Sequence, residues 1–326
     1  MNKEIKNRLE SIANVNNSAL LLIGCKTTKY SHECCEYNIL TIGESNESKI
    51  INDKVLGYVH LENIEREKFL EISNKDASFL INNEIILDNN FIISTKINDI
   101  NERKEQIIKQ YINSTDIELT TDIEKAKNAL NKSSNNDSAY WTYSATYNLI
   151  KLSIGHDKII MSPAHLLNQL KEKKIELNID KYFNLLDLEN STKSSVERRL
   201  QALNDLYRLL SVIISGNQEL FLRRMKLIDN KIKWFLENKM ITNAFSLLGY
   251  ENVSVIKKIY NQYCIQKHFT SHNYKIIDEI LEENHSPGIG KSTIKMLVFT
   301  TDQQEINENL NTINNLRTEI IDNISN

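Results

Sequence analysis

Several residues of this 326-residue chain stand at spacings that could support chemistry. Cys264, His268 and His272 recur every four residues. On a helix that period sets a thiol and two imidazoles along one face, as metal ligands are sometimes arranged. Zinc asks for a fourth ligand, so ordinary packing of these side chains is the competing reading. Adjacent Cys34 and Cys35 precede an apolar segment; they could ligate a soft metal, oxidise, or simply be buried thiols. Gly288–Thr293, GIGKST, resembles a phosphate-binding loop, but that motif needs a glycine five residues before the Gly-Lys pair. His285 occupies that position and no strand leads in, so a turn opening a helix is the better reading.

The stretch Leu21–Ile42, LLIGCKTTKYSHECCEYNILTI, carries the most information. It reads as an apolar strand ending at Gly24-Cys25, a polar turn holding Lys26 and Lys29, and a second strand. Glu36 and Asn38 stand two residues apart at the start of that second strand, which points both to one face.

The flanking elements follow from periodicity. Ile5, Leu9, Ile12 and Val15 make one helical stripe over residues 4–15. Residues 45–54 are polar and predict a loop, residues 55–61 a third strand, and residues 65–72 a short helix. Residues 77–93 alternate apolar runs with Asn-Asn pairs, which predicts a strand or helix end and then a small hairpin. From residue 99 the character changes to charged helical segments at 102–111 and 122–130. Lys132–Asn136, KSSNN, is the predicted linker between domains 1–131 and 137–326. Beyond it every segment reads as helix: 137–153, one opened by Ser162 and Pro163 as N-cap and first helical residue, 179–188, 195–214, 218–238, 241–248, 253–269, 274–283, a short one to about Phe299, and 302–321. The expected class is α+β, a small mixed-sheet domain followed by an all-helical bundle.

The ungapped frame at 21–42 resembles the signature of the nucleotidyltransferase fold of the DNA polymerase β superfamily. In that family a strand ends in Gly-Ser and a second opens Ser-Asp-x-Asp. Gly24 matches the glycine, Cys25 the first serine, Cys35 the second, Glu36 the first aspartate and Asn38 the second. The segments SAYWTYSATYNLIKL and SPAHLLNQLKE are similar to the helices that follow such domains in kanamycin nucleotidyltransferase and its HEPN-like relatives. The resemblance implies nucleotide binding by Gly24, Cys25, Lys26 and Lys29, and Mg²⁺ ligation by Glu36, Asn38 and a third carboxylate, Glu62. It also implies a deficit, since Asn38 is neutral where the family has an acid, and Mg²⁺ prefers anionic oxygen. The expected function is therefore a catalytically impaired nucleotidyltransferase-like protein that binds a nucleotide, an RNA or a protein. An active Mg²⁺-dependent enzyme acting on a small molecule, tRNA or protein hydroxyl is the first alternative, and an antitoxin-like dimerising protein the second. HEPN ribonuclease chemistry needs Arg followed four to six residues later by His, and no histidine here has that spacing.

Bulk properties narrow the setting. A net charge of -3 gives no global attraction to nucleic acid or anionic membrane. The first sixteen residues lack the apolar core of a signal peptide, no run approaches bilayer length, and four cysteines make no secreted framework; a cytoplasmic protein is expected. Arg198, Arg199, Arg208, Arg223, Arg224 and Lys226 form either a basic strip for RNA or, more simply, a solvated face paired with Glu197, Asp205 and Glu219. Ile306, Leu310, Ile313, Leu316 and Ile320 form an apolar stripe that needs a cover, either the chain's own bundle or a second copy in a homodimer.

Overall fold

The computed structural model describes residues 1–13, 19–43, 48–74, 76–155, 162–172, 178–214, 218–268, 270, 273–276 and 300–325. The sequence readings on Val15, His156, His272, His285, Gly288–Thr293 and the segments 277–283 and 288–299 lie outside these residues. The class is α+β: an N-terminal five-stranded mixed sheet followed by helices. No helix among the described residues is long and apolar enough to cross a membrane.

The chain divides into two compact units. The first comprises Met1–Asn113 with Gly155–Ser162 and Leu222–Lys231; the second comprises Ser114–Ile154, Pro163–Phe221 and Ile232–Asn326. In the first, α1 (Lys3–Ala13) precedes a sheet of β1 (Ala19–Ile23), β2 (Tyr37–Gly43), β3 (Lys49–Asp53), β4 (Gly57–Glu65) and β5 (Asn83–Leu87). The strand order is β3-β4-β2-β1-β5. β1 lies antiparallel to both β2 and β5, β2 parallel to β4, and β3 antiparallel to β4. The two central strands read as apolar runs because both faces are covered. Leu21, Leu40 and Ile42 pack with Phe69 of α2 (Arg66–Leu70) and with Ile93, Ile97 and Ile100 of α3 (Ile92–Glu102). Leu20, Leu22, Ile39, Val59 and Leu61 pack on the other face with Leu9 of α1.

Two expectations need correction here. Residues 49–53 are an edge strand, not loop: their polar composition is what an edge tolerates, and Asp53 closes the hairpin by accepting from the Val55 and Leu56 amides at 2.9 and 3.0 Å. The same carboxylate accepts from Arg8 of α1 at 2.6 Å. Residues 83–87 form no hairpin of their own; they extend the sheet beside β1.

In the second unit, the predicted pair of segments at 102–111 and 122–130 is one helix, α4 (Lys104–Asn131), whose residues from Ser114 on belong to this unit. The predicted linker is a turn with Ser133 at φ 58°, leading into α5 (Asn135–Gly155). α5 is buried around almost its whole circumference. Its tyrosines satisfy their hydroxyls on neighbouring backbone: Tyr140 on the Val253 carbonyl at 3.0 Å and Tyr147 on that of Ser246 at 2.8 Å. Ser162 and Pro163 open a short 3-10 turn ahead of α6 (Leu166–Glu172). Then come α7 (Ile179–Leu185), α8 (Lys193–Ile213) with a Thr192/Ser195 capping box, α9 (Gln218–Glu237) and α10 (Ile241–Lys267). The last helix, α11 (Gln303–Ser325), buries Ile306, Leu310, Ile313, Leu316 and Ile320 within the chain itself. It is fixed by Arg317, which grips Asp116 of α4 with both ends of its guanidinium at 2.5 and 2.7 Å.

Candidate functional site

The strand-turn-strand frame is built as its sequence implies. β1 ends at Gly24, whose backbone has φ 82° and ψ -152°, a region open essentially to glycine alone. The Gly24 carbonyl accepts from the Thr27 amide at 3.2 Å and the Thr27 hydroxyl at 2.7 Å. That closes a single 3-10 turn over Cys25–Thr27. Thr28 repeats the device on the Cys25 carbonyl, its hydroxyl donating at 2.8 Å. Lys26 turns back into this loop: its ammonium donates to the His32 carbonyl at 3.1 Å and lies 5.1 Å from the centre of the Tyr37 ring. Lys29 is exposed and sits 5.0 Å from the Tyr30 ring. Both lysines thus have partners within the loop itself.

Glu36 stands one residue ahead of β2, and its carboxylate is only 6% exposed. Its Oε2 lies 2.6 Å from the Nζ of Lys231, which is 8% exposed and belongs to the part of α9 that joins this unit. The distance is that of a strong ion pair, although its angles fall outside hydrogen-bond geometry. Burial alone would raise the Glu36 pKa, yet the Lys231 charge overrides it and holds the carboxyl below its ordinary value, with Arg224 adding to the effect. Burial likewise opposes the charge on Lys231, and Glu36 restores it, leaving the ammonium above its ordinary value.

Asn38 shares its face of the sheet with Leu40, and the parallel register sets Asn38 beside His60 and Leu40 beside Glu62. The Asn38 side-chain oxygen lies 3.2 Å from His60 Nδ1. Glu62 is exposed. His60 is held below its ordinary pKa, first by burial, while Glu62 and Glu36 pull it up and Arg224 and Lys231 push it down. The His60 imidazole thus feels two acids and two cations of the same unit.

Lys231 and His60 were missed by sequence reasoning, and Arg224 was read there only as part of a basic strip. A signal for Lys231 did exist: it falls on the apolar stripe of α9 with Leu227, Ile228 and Phe235, and a lysine on a buried stripe calls for an acid opposite. Arg224 is seven residues earlier on the same face.

The remaining candidates are dispersed. Cys264 is buried, whereas exposed His268 ends α10 in a left-handed conformation with φ 54°. The basic strip is not one face. Arg208 pairs with Asp205 at 3.7 Å at the surface. Arg199 is wholly buried, donating to the Phe245 carbonyl at 3.0 Å and the Tyr143 hydroxyl at 2.8 Å, with its guanidinium 3.4 Å from the centre of the Phe245 ring.

Comparison with family models, with curated proteins and with solved structures finds no match to this chain.

Proposed function

We propose that this is a nucleotidyltransferase-like protein that no longer performs metal-dependent transfer and instead binds a nucleotide, free or at the end of an RNA. The observation that carries the proposal is the buried 2.6 Å ion pair of Glu36 and Lys231. Two-metal transfer requires several anionic oxygens converging on a pair of divalent cations. Here one carboxylate is already neutralised by an internal ammonium, Asn38 brings a neutral amide in contact with His60, and Glu62 alone is an exposed acid. That donor set does not fit a pair of Mg²⁺ ions. In its place the protein supplies a glycine turn that lets backbone come close to a ligand. Such turns suit phosphate.

The test is thermal melting with ATP or CTP, in Mg²⁺ and again in EDTA, beside an assay for transfer of nucleotide label to RNA, protein or small molecules. Stabilisation that survives EDTA, with no label transferred, is the expected result. Mg²⁺-dependent labelling abolished by Glu36→Gln would overturn the loss of catalysis, and failure of any nucleoside triphosphate to stabilise the chain would remove the binding.

A further inference from the structure

The turn between β1 and β2 contains a thiol cluster of which the nucleotide reading uses only Cys25. Cys25, Cys34 and Cys35 are all buried and carry free thiols. The Sγ atoms of Cys25 and Cys35 lie within 4.8 Å of each other. Cys35 is the hub: its thiol is the largest influence raising the pKa values of Cys25 and Cys34 above their ordinary values. The His32 amide donates to the same sulfur at 3.4 Å, and the Cys35 amide donates back to the His32 carbonyl at 3.1 Å. Cys25 and Cys35 are thus held by local backbone bonds, Cys25 in the 3-10 turn and Cys35 in the turn from His32.

We propose that Cys25 and Cys35 form a two-sulfur binding site for a soft monovalent metal ion, with Cu(I) the best-suited occupant. Thiolate donors select soft ions, and Cu(I) is satisfied by two or three sulfurs. No electron changes hands on binding. Each coordinating sulfur exchanges its S–H bond for an S–Cu bond and releases one proton to solvent. The new thiolates are buried, which is unfavourable for an isolated anion. The positive charge of the ion itself offsets them; at Cys25 the nearby Glu36 carboxylate acts against the field of Lys231. Without metal, hydrogen bonding to Cys35 and burial keep the Cys25 and Cys34 thiols protonated well above their ordinary range. Such protonated thiols are quiet ligands in waiting, not reactive nucleophiles.

This proposal does not rest on nucleotide binding, although Cys25 belongs to both readings. Its experiment titrates the reduced full-length protein, without oxygen, against Cu(I) held by a coloured chelator. One equivalent should be withdrawn from the chelator, with near-ultraviolet sulfur-to-copper absorption appearing in step. Cys35→Ser should weaken the affinity by at least about tenfold, with far-ultraviolet circular dichroism confirming the fold, and Cys264→Ser should leave it unchanged. In the unaltered protein, Cu(I) should slow alkylation of Cys25 and Cys35, read peptide by peptide in the mass spectrometer, so the answer survives even where a variant fails to fold. No withdrawal from the chelator, equal loss in Cys264→Ser, or alkylation rates indifferent to Cu(I) would each overturn the site.

Discussion

Glu36 is the residue on which most of the chemistry turns, and its neighbour decides what it can do. A buried ion pair contributes little net stability over an apolar pair, but breaking one is costly because it strands a charge. Lys231→Met should destabilise the protein by about 3–5 kcal/mol, measured by urea unfolding, and Glu36→Leu added to it should recover much of the loss. The pH signs follow from the two shifts. Glu36 has a folded pKa below its reference 4.5, so its contribution is present above that value and fades as pH falls through the folded one. Lys231 is raised above 10.5, so its contribution is complete below that value and fades only in stronger base. Lys125 behaves in the opposite way. It lies 4.1 Å from the Trp141 ring centre and 4.5 Å from that of Tyr260, and burial brings it down to about 8, against the pull of Asp122. Between about 8 and 10.5 the unfolded chain binds more protons at this group, so stability gains from it as pH rises through that window. Lys125→Met should flatten that gain, seen as urea midpoints that converge across the window. At this scale the sequence disclosed the strand residues and concealed their partner. Glu36 and Asn38 are adjacent in a recognisable frame, whereas Lys231 comes from a helix nearly two hundred positions later.

Elements were legible wherever burial matched periodicity. β1, β2, β4, α1, α5, α8 and α9 appear within a few residues of where pattern sets them, because each buries a stripe or a face that the sequence spells out. The polar edge strand at 49–53 was missed through its composition, and α10 through local punctuation overruled by packing. Residues 241–248 and 253–269 read as two helices, yet α10 runs unbroken through Gly249. The glycine is not a break but a point of close approach. A Cβ there would stand 2.6 Å from Arg199 Nη1 and closer still to the Tyr147 hydroxyl. Gly249→Ala should therefore cost about 1–3 kcal/mol by overpacking, although alanine is the better helix former. Thermal melting of that variant beside Arg199→Met separates lost space from lost hydrogen bonds. Gly24 makes the complementary case. Its Cβ would find ordinary room, 3.5 Å from Asn38, but the backbone conformation is closed to alanine. Gly24→Ala should cost about 1–3 kcal/mol through strain, and it should abolish any stabilisation by nucleotide.

For the molecule as a whole, the apolar stripe of the last helix had two candidate covers in the sequence, and the chain's own helices are the one observed. Leu310→Asp should therefore lower the melting temperature at every protein concentration, and gel filtration should show unfolding rather than the dissociation of a dimer. The division into compact units was the least legible feature. Pattern marks a boundary at 131, where two helices meet in a turn, whereas the first unit's main segment stops at Asn113 and recruits Leu222–Lys231 from much later. Composition cannot show this, since a segment's neighbours in space leave no mark on its own periodicity.

That late recruitment bears on how the protein is made. When a ribosome has finished Asn113, the partner of Glu36 is still more than a hundred codons away. At roughly 5–20 residues per second, the nascent sheet must wait on the order of ten seconds, its acid bare, for the lysine that completes it.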